Sequence, residues 1–265
     1  MTTASISSPP AIATLAALTR RSIQTCLRLP ALIIGPLFMS AFFLFIYEGQ
    51  LATAAAQFVP GGSYVSFLLP LVLLTSAFSG GAIAGQLVLR DLDSGFYSNM
   101  AVTPTRRGLL TAGPTLAGVF VITVQATVLI LLGWVLGLNQ PHGPAGVATV
   151  LGFTMVAGAG FLLLALAAAL LGRNIAAVNA VTWIFFPLSF MTTTFVPRNQ
   201  LDGWMAIAAD INPLTYLLEG MREALSPGWE AAVLTQGAIA TSAILLLGIG
   251  AVWFGLRRIS QEVDR

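Results

Sequence analysis

Six long apolar stretches divide the chain, and they constrain its fold more than any other feature. Each supplies about the 20 mainly apolar residues that a helix needs to cross a bilayer, and none has an Asp, Glu, Lys or Arg in its interior. The stretches are residues 30–47, 64–89, 108–138, 146–171, 175–196 and 231–256. The pattern predicts an all-α, polytopic membrane protein with six transmembrane helices.

The composition excludes a soluble globular domain. The chain is 57% hydrophobic and only 8% charged, whereas a soluble domain has about 25% charged residues. We expect a single membrane domain over residues 1–265, with no separate soluble module. Residues 1–10 are small, polar and proline-containing, which predicts a disordered tail.

The basic residues are all arginines, and they are unevenly distributed between the two sides of the predicted membrane. Ten of them lie on the same side as the two termini, and the opposite side has only Arg198 and Arg222. By the positive-inside rule, both termini should lie in the cytoplasm. Because topology explains the basic excess, it does not indicate a nucleic-acid partner. The arginines of the inner side are Arg20, Arg21, Arg28, Arg90, Arg106, Arg107, Arg173, Arg257, Arg258 and Arg265.

Residues 11–29 have the period of an amphipathic helix. At 100° per residue, six apolar residues fall within an arc of about 120°, namely Ile12, Leu15, Ala16, Ile23, Cys26 and Leu27. Arg20, Arg21 and Arg28 fall outside that arc. We expect a helix in the cytoplasmic interface, with its arginines near anionic head groups. The alternative is a soluble amphipathic helix that packs on a partner.

Within the spans, small, polar and aromatic residues suggest different roles. Small residues over 76–85 in the second span predict close helix packing, and Gln125 should form an interhelical hydrogen bond. Aromatic residues are concentrated in the first and fifth spans and could line a substrate path. The candidates for that path are Phe38, Phe42, Phe43, Trp183 and Phe186.

The chain lacks the residues of familiar catalytic and metal sites. Without lysine it cannot form a Walker A loop, and the single histidine, His142, is expected to be a solvated turn residue. We expect no metal site and no cofactor bound by the chain itself. One alternative remains, in which Asp91 and Asp93 hold a metal ion in a membrane-embedded transferase.

The loop over residues 90–107 has acids near its start, which would favour the positive end of a short helix. Pro104 would end that helix. The loop resembles the acidic-x-x-Gly … Thr-Pro-x-x-Arg signature of type-2 ABC transporter permeases. In that family the segment is the coupling helix that docks on the ATPase subunit. The residues to which the resemblance assigns this coupling role are Asp91, Asp93, Gly95, Thr103, Pro104 and Arg107.

The outer segment 197–226 is similar to a second motif of the same family. Two short helices should dip into the outer leaflet, with Pro213 opening the second and Glu219 pairing with Arg222 at i, i+3. The family commonly has proline where Gly203 stands. The matching residues are Phe195, Pro197, Leu201, Trp204, Asn212, Pro213, Leu214, Thr215, Tyr216, Glu219 and Arg222.

The resemblance implies the permease subunit of an ATP-driven exporter for amphipathic drugs or lipids, and it is strongest to the daunorubicin-resistance branch. It implies two copies of a separate ATP-binding subunit, which would carry ATP and Mg, and a second permease half that is identical or paralogous. The first, second and fifth spans would form the dimer interface and pathway in a bacterial cytoplasmic membrane. A polysaccharide or lipid-linked glycan exporter shares the fold and remains an alternative.

Overall fold

The computed structural model describes residues 11–55, 63–96, 107–194 and 197–263, and the regular structure within these ranges is helical. A short 3-10 turn, Arg198–Gln200, precedes the seventh of the α-helices. Their bounds are α1 Ala11–Arg28, α2 Ala31–Ala55, α3 Tyr64–Asp93, α4 Arg107–Val135, α5 Gly143–Gly172, α6 Ile175–Phe190, α7 Gly203–Ile211, α8 Pro213–Glu223 and α9 Ala231–Val263.

Five helices of the described chain are long and apolar enough to cross a membrane, namely α2, α3, α4, α5 and α9. The stretch 175–196 was predicted as a span. Among its described residues, 175–194, the helix covers Ile175–Phe190, which is 16 residues. At about 1.5 Å per residue this helix rises roughly 24 Å. It ends early because the hydroxyls of Thr192 and Thr194 both donate to the carbonyl of Ser189, at 2.7 Å each. Such local bonds compete with the helical ladder.

Helix α3 lies at the centre of the bundle, in contact with α2, α4, α5, α6 and α8. Its glycines allow close approach, because a Cβ on Gly81 would lie 3.0 Å from the amide nitrogen of Leu162. A Cβ on Gly85 would lie 2.8 Å from the carbonyl oxygen of Ala165. The prediction that these small residues mark tight helix packing is confirmed.

Gln125 on α4 is fully buried and connects three helices. Its Oε1 accepts a hydrogen bond from Ser76 Oγ at 3.0 Å, and its Nε2 donates to the carbonyl of Ile33 at 3.1 Å. The predicted interhelical hydrogen bond is therefore confirmed. A buried amide satisfied in this way holds α2, α3 and α4 together.

Helix α1 packs against α4 through one narrow strip of its surface. Leu18, Ser22 and Cys26 are buried on that strip, and Leu18 lies against Gly113 of α4. The neighbouring apolar strip is left uncovered by the described chain, with Ile12 83% exposed. The helix thus has an apolar surface available to something other than its own bundle.

Candidate transport pathway and its two ends

A cavity of about 170 Å³ lies between α2, α3 and α6. Phe43 and Phe186, two of the residues predicted to line a path, form part of its wall. The other three predicted residues do not line it. Phe38 and Phe42 on α2 and Trp183 on α6 lie on the exterior, with Phe38 64% and Trp183 72% exposed. The structure therefore divides the predicted aromatic path into a cavity wall and an outer surface.

Hydroxyl groups, which the sequence did not single out, form the polar part of this wall. Thr75 Oγ1 donates to the carbonyl of Val72 at 2.9 Å, and Ser79 Oγ donates to the carbonyl of Thr75 at 3.1 Å. Because both hydrogens are used within α3, the hydroxyl oxygens retain only acceptor capacity toward the cavity. The remaining hydroxyls of the wall are those of Ser40, Tyr47 and Thr182. The i, i+4 spacing of Thr75 and Ser79 on α3 was the signal available in the sequence.

No Asp, Glu, Lys or Arg is present among the residues that line this cavity in the described chain. Aromatic rings make up much of the remaining wall, including Phe43, Tyr47 and Phe78. Aromatic faces attract cations and pack against flat apolar groups. The cavity can accommodate the apolar or aromatic part of a molecule, and the hydroxyl oxygens of its wall can accept hydrogen bonds from donors on the same molecule.

At one end of the bundle, Asp91 is 8% exposed and forms a two-point ion pair with Arg21 of α1. The two N–O distances are 3.0 and 2.6 Å. The guanidinium also lies 4.0 Å from the ring centroid of Phe96. Arg21, which the sequence analysis expects near lipid head groups, thereby also connects α1 to α3.

The expectation that Asp91 and Asp93 begin a short helix is wrong. Helix α3 continues to Asp93, so both acids lie in its last turn. Negative charge is unfavourable at a helix C-terminus, and the contact of Asp91 with Arg21 offsets that cost. The side chain of Asp93 is exposed.

Gly95 ends α3 by adopting a left-handed backbone conformation, with φ of +70°. Its amide donates to the carbonyl of Leu92 at 3.1 Å, as in a common helix C-cap. Thr103 and Pro104 lie outside the described residues. Arg107 is the first residue of α4, and its side chain is outside the described part of the structure.

At the opposite end of the bundle, Asn212 joins α6 to α8. Its Oδ1 accepts from the amide of Leu214 at 3.0 Å and so caps α8. Its Nδ2 donates to the carbonyls of Leu188 and Met191, at 2.7 and 2.8 Å. Pro213 is the first residue of α8, which confirms that it opens this helix. One side chain thereby supplies hydrogen-bond partners to backbone groups at the end of α6 and at the start of α8.

Arg222 of α8 binds three backbone carbonyls rather than Glu219, so the predicted Glu219–Arg222 pair is not the contact that forms. Its Nε donates to the carbonyl of Phe67 at 3.0 Å. Its Nη1 and Nη2 donate to the carbonyls of Thr193 and Thr194, at 2.6 and 2.9 Å. The guanidinium also lies 3.6 Å from the ring centroid of Phe67. Desolvation lowers the pKa of Arg222 to about 9, so the group stays charged at neutral pH.

Glu219 lies nearer to a different arginine, Arg198, at 3.8 Å. Arg198 also contacts Asp210 at 2.6 Å and lies 5.4 Å from the ring centroid of Tyr216. The hydroxyl of Tyr216 donates to the carbonyl of Asp210 at 2.8 Å. Burial raises the pKa of Glu219, while Arg198 and Arg222 act in the opposite direction. These residues tie the 3-10 turn, α7 and α8 together.

Gly203 begins α7 with φ of +61°. Proline fixes φ near −65°, so the residue that the family commonly has could not adopt this conformation. Trp204 follows it and is 70% exposed. Pro197 precedes the 3-10 turn, and Phe195 lies outside the described residues. An apolar edge of α7 thus remains uncovered by the described chain.

His142 lies in a turn, as the sequence suggested, but it is only partly exposed. Its ring packs edge-on against Trp229, with 4.6 Å between centroids. Its Nε2 is buried and has no hydrogen-bond partner within the ranges that the structure describes. The contact brings the α4–α5 loop against the segment before α9, a tertiary proximity that has no local sequence signal.

Comparison with known proteins shows which family has this sequence pattern. A family model for the ABC-2 type transporter matches residues 13–226. The daunorubicin resistance ABC transporter permease protein DrrB1 of Streptomyces coeruleorubidus is 23% identical over 72% of this chain and 66% of its own length. The putative transport permease ycf38 of Cyanophora paradoxa is 26% identical over 60% of this chain and 56% of its own length.

A third relative is the probable doxorubicin resistance ABC transporter permease protein DrrC of Mycobacterium tuberculosis, 23% identical over 87% of this chain and 83% of its own length. The chain covers less than two thirds of the length of the first two relatives. The family match runs from α1 through α8 and so contains the cavity and both of its ends. The chain therefore belongs to the ABC-2 type transporter family and is a permease of that family.

Proposed function

We propose that this permease is the membrane subunit of an ATP-driven exporter that moves amphipathic drugs or lipids out of a bacterial cytoplasm. The observation that carries the proposal is the uncharged cavity between α2, α3 and α6, in which aromatic rings surround hydroxyl acceptors. Such a wall suits a molecule with an apolar or aromatic body and hydrogen-bond donors. ATP and Mg would be bound by the partner subunit, and this chain would perform no hydrolysis.

Helix α6 would act as the sixth span, with both termini in the cytoplasm. Its first half lies beside Gly85, near the inner end of α3, because Val178 is 3.0 Å from the Cβ position there. Its last carbonyls reach Asn212, and the bend beyond them reaches Arg222, which also holds Phe67 near the start of α3. These contacts support a helix that runs from one end of the bundle to the other. The bend at 191–194 would complete the roughly 30 Å crossing.

The inner end, where Arg21 and Asp91 join α1 to α3, would receive the ATP-binding subunit. An ion pair with two hydrogen bonds fixes orientation better than a single contact does. Motion imposed on α1 or on the 90–107 loop would therefore reach α3 directly, and α3 forms one wall of the cavity. Two copies of the ATP-binding subunit would drive two permease halves.

The exposed apolar surface of α2 and α6 would contact the second permease half. Phe38, Phe42, Trp183 and Ile184 lie uncovered on these helices, next to the cavity. Large contiguous apolar surfaces mark sites of interaction or of lipid contact. Joining two such surfaces would place the two cavities beside a common pathway.

The hydroxyl groups of the wall also suit the glycan-exporter alternative. A single cavity of about 170 Å³ is smaller than the 300–1,000 Å³ typical of sites for drug-sized ligands, and it favours a compact group over an oligosaccharide. The transferase alternative is weaker. Both oxygens of Asp91 accept hydrogen bonds from Arg21, and the described residues contain no group of three His, Cys, Asp or Glu that could hold a metal ion.

The proposal can be tested by co-expression with a candidate ABC ATP-binding subunit from the same genome and reconstitution into liposomes. Vanadate-sensitive, ATP-dependent transport of daunorubicin is the expected result. The double variant Thr75→Val and Ser79→Ala should lower transport several-fold and leave the complex assembled. Thr127→Val, which removes an exposed hydroxyl on α4, should transport like the parent protein. Transport by the permease without any ATPase would contradict the proposal, as would equal transport by all three proteins.

A further inference from the structure

A second concavity of about 500 Å³ lies between α1 and α4, on the exterior of the bundle. Its walls are apolar and include Ile12, Leu15, Ile23 and Leu116. We call this concavity the α1–α4 groove. It adjoins the exposed apolar strip of α1 and is separate from the cavity between α2, α3 and α6.

One hydroxyl in the α1–α4 groove has no partner. Thr19 Oγ1 is buried and forms no hydrogen bond within the part of the chain that the structure describes. Helical threonines nearby behave differently: Thr25, Thr111 and Thr115 donate to carbonyls three or four residues earlier. A buried polar group without a partner costs about 1–3 kcal/mol. The hydroxyl of Thr19 therefore calls for a ligand that supplies an acceptor or donor inside the groove.

A cation stands beside that hydroxyl. Arg20 also lines the groove and is exposed. Its guanidinium has no ion pair within the described ranges, whereas the next residue, Arg21, is fully engaged by Asp91. No acid is among the lining residues. The groove therefore combines an apolar trough, a buried hydroxyl and a free positive charge at its edge.

We propose that the α1–α4 groove binds one anionic phospholipid of the inner leaflet. The acyl chain would lie along Ile12, Leu15 and Leu116, the Thr19 hydroxyl would donate to an ester carbonyl, and Arg20 would bind the phosphate. The proposal relies on the proposed orientation only in placing α1 at the inner leaflet. A free phosphate would leave the trough empty. In a zwitterionic lipid such as phosphatidylcholine, the ammonium of the head group already balances the phosphate and repels Arg20, so the charge of Arg20 would not be neutralised. The anionic phospholipid satisfies all three features.

Such a lipid would also act on the inner end of the permease. Arg20 directly precedes the residue that binds Asp91, and Leu116 belongs to the helix on which α1 packs. Filling the groove would therefore hold α1 against α4. The orientation of the Arg21–Asp91 contact would then depend on the lipid composition of the membrane.

Native mass spectrometry of the full chain in detergent, titrated with phosphatidylglycerol or phosphatidylcholine, tests this proposal. We expect one phosphatidylglycerol to be retained in preference to phosphatidylcholine. Arg20→Gln should weaken its retention roughly tenfold, the factor expected for one charged hydrogen bond. Thr19→Val, which keeps the shape of the side chain, should weaken it several-fold. No ATPase is needed, so the result is independent of whether the protein exports daunorubicin.

Arg258→Gln is the matched control, because it removes an exposed arginine that does not line the groove. It should bind phosphatidylglycerol like the parent protein. Equal weakening by Arg20→Gln and Arg258→Gln would overturn the proposal in favour of diffuse charge attraction, and equal retention of the two lipids would overturn it as well. Leu116→Trp fills the groove without changing a charge, so retention unaffected by this variant would also refute the site. Thermal unfolding without added lipid checks that each variant is folded.

Discussion

Replacing Arg222 by methionine should destabilise the end of the bundle where α8 meets the start of α3 more than any other single charge removal there. Its guanidinium donates to the carbonyls of Phe67, Thr193 and Thr194 within 3.0 Å. Methionine retains part of the apolar contact and supplies no donor. The three carbonyls would then lose their partner in a region that excludes water, and the bend after α6 would be released.

The magnitude follows from these contacts. Removing one partner from a buried charged network costs about 3–5 kcal/mol. For a chain of this size, 1 kcal/mol corresponds to roughly 2–4 °C in Tm. We therefore expect the Tm of Arg222→Met to fall by about 6–20 °C. Arg222→Lys should fall between the two proteins, because an ammonium keeps the charge but cannot bridge three carbonyls with a planar fork.

Arg198→Met provides the matched control on the same side of the bundle. Arg198 pairs with Asp210 at 2.6 Å, but both side chains are about half exposed. Exposed pairs contribute about 0–1 kcal/mol, so this Tm should fall by no more than about 4 °C. Intrinsic tryptophan fluorescence in detergent would report both transitions. A Tm loss in Arg222→Met no larger than that in Arg198→Met would refute the argument that the three carbonyls depend on this side chain.

Three further perturbations test other parts of the structure. Asp91→Asn and Arg21→Gln should each lower the free energy of unfolding by about 1–2 kcal/mol. In a double-mutant cycle on Tm, the double variant should be no less stable than either single variant. Additive losses of stability would exclude a direct pair between the two side chains. Gly95→Leu should destabilise the end of α3, because leucine rarely adopts the positive φ of this position. Gly95→Asn should not, because asparagine tolerates that conformation. Equal Tm values for the two variants would contradict the role of Gly95 as a C-cap. Gly85→Ala should lower Tm, because the new Cβ would press against the backbone of Ala165. Gly152→Ala should raise Tm slightly, because a Cβ there meets nothing within 4 Å. A Tm change of the same sign in both variants would show that packing does not control the difference.

Local patterns in the sequence predicted the helices and some of their ends well. Apolar length predicted six spans, because a helix in lipid must satisfy its own backbone and so needs about 20 apolar residues. Five of the six form helices that are long enough to cross a membrane. Pro213 was correctly expected to open a helix. Backbone N–H groups in the first turn have no partner within the helix, so proline, which lacks the N–H, loses no hydrogen bond there. The fifth predicted stretch was too long, since hydroxyl bonds within 189–194 end the helix at Phe190.

Partner choice was predicted poorly. Glu219 and Arg222 are close in sequence on one helix, which made their pairing plausible, but three carbonyls from other elements lie nearer to the guanidinium. Arg21 likewise took a partner 70 residues away. Such contacts depend on how helices are arranged in space, and the spacing of residues along one helix contains no information about them.

The sequence by itself determined that this chain is a helical membrane protein, which family motifs it has and which of its faces are apolar. Those properties follow from side-chain hydrophobicity and from backbone hydrogen bonding, and both act locally. Only the tertiary structure decided that Phe43 and Phe186 face a cavity while Phe38 and Trp183 face outward. It also decided that Arg21 contacts Asp91 and that Arg222 binds the carbonyls after α6, because charged side chains bind whichever acceptors the packed helices bring within reach.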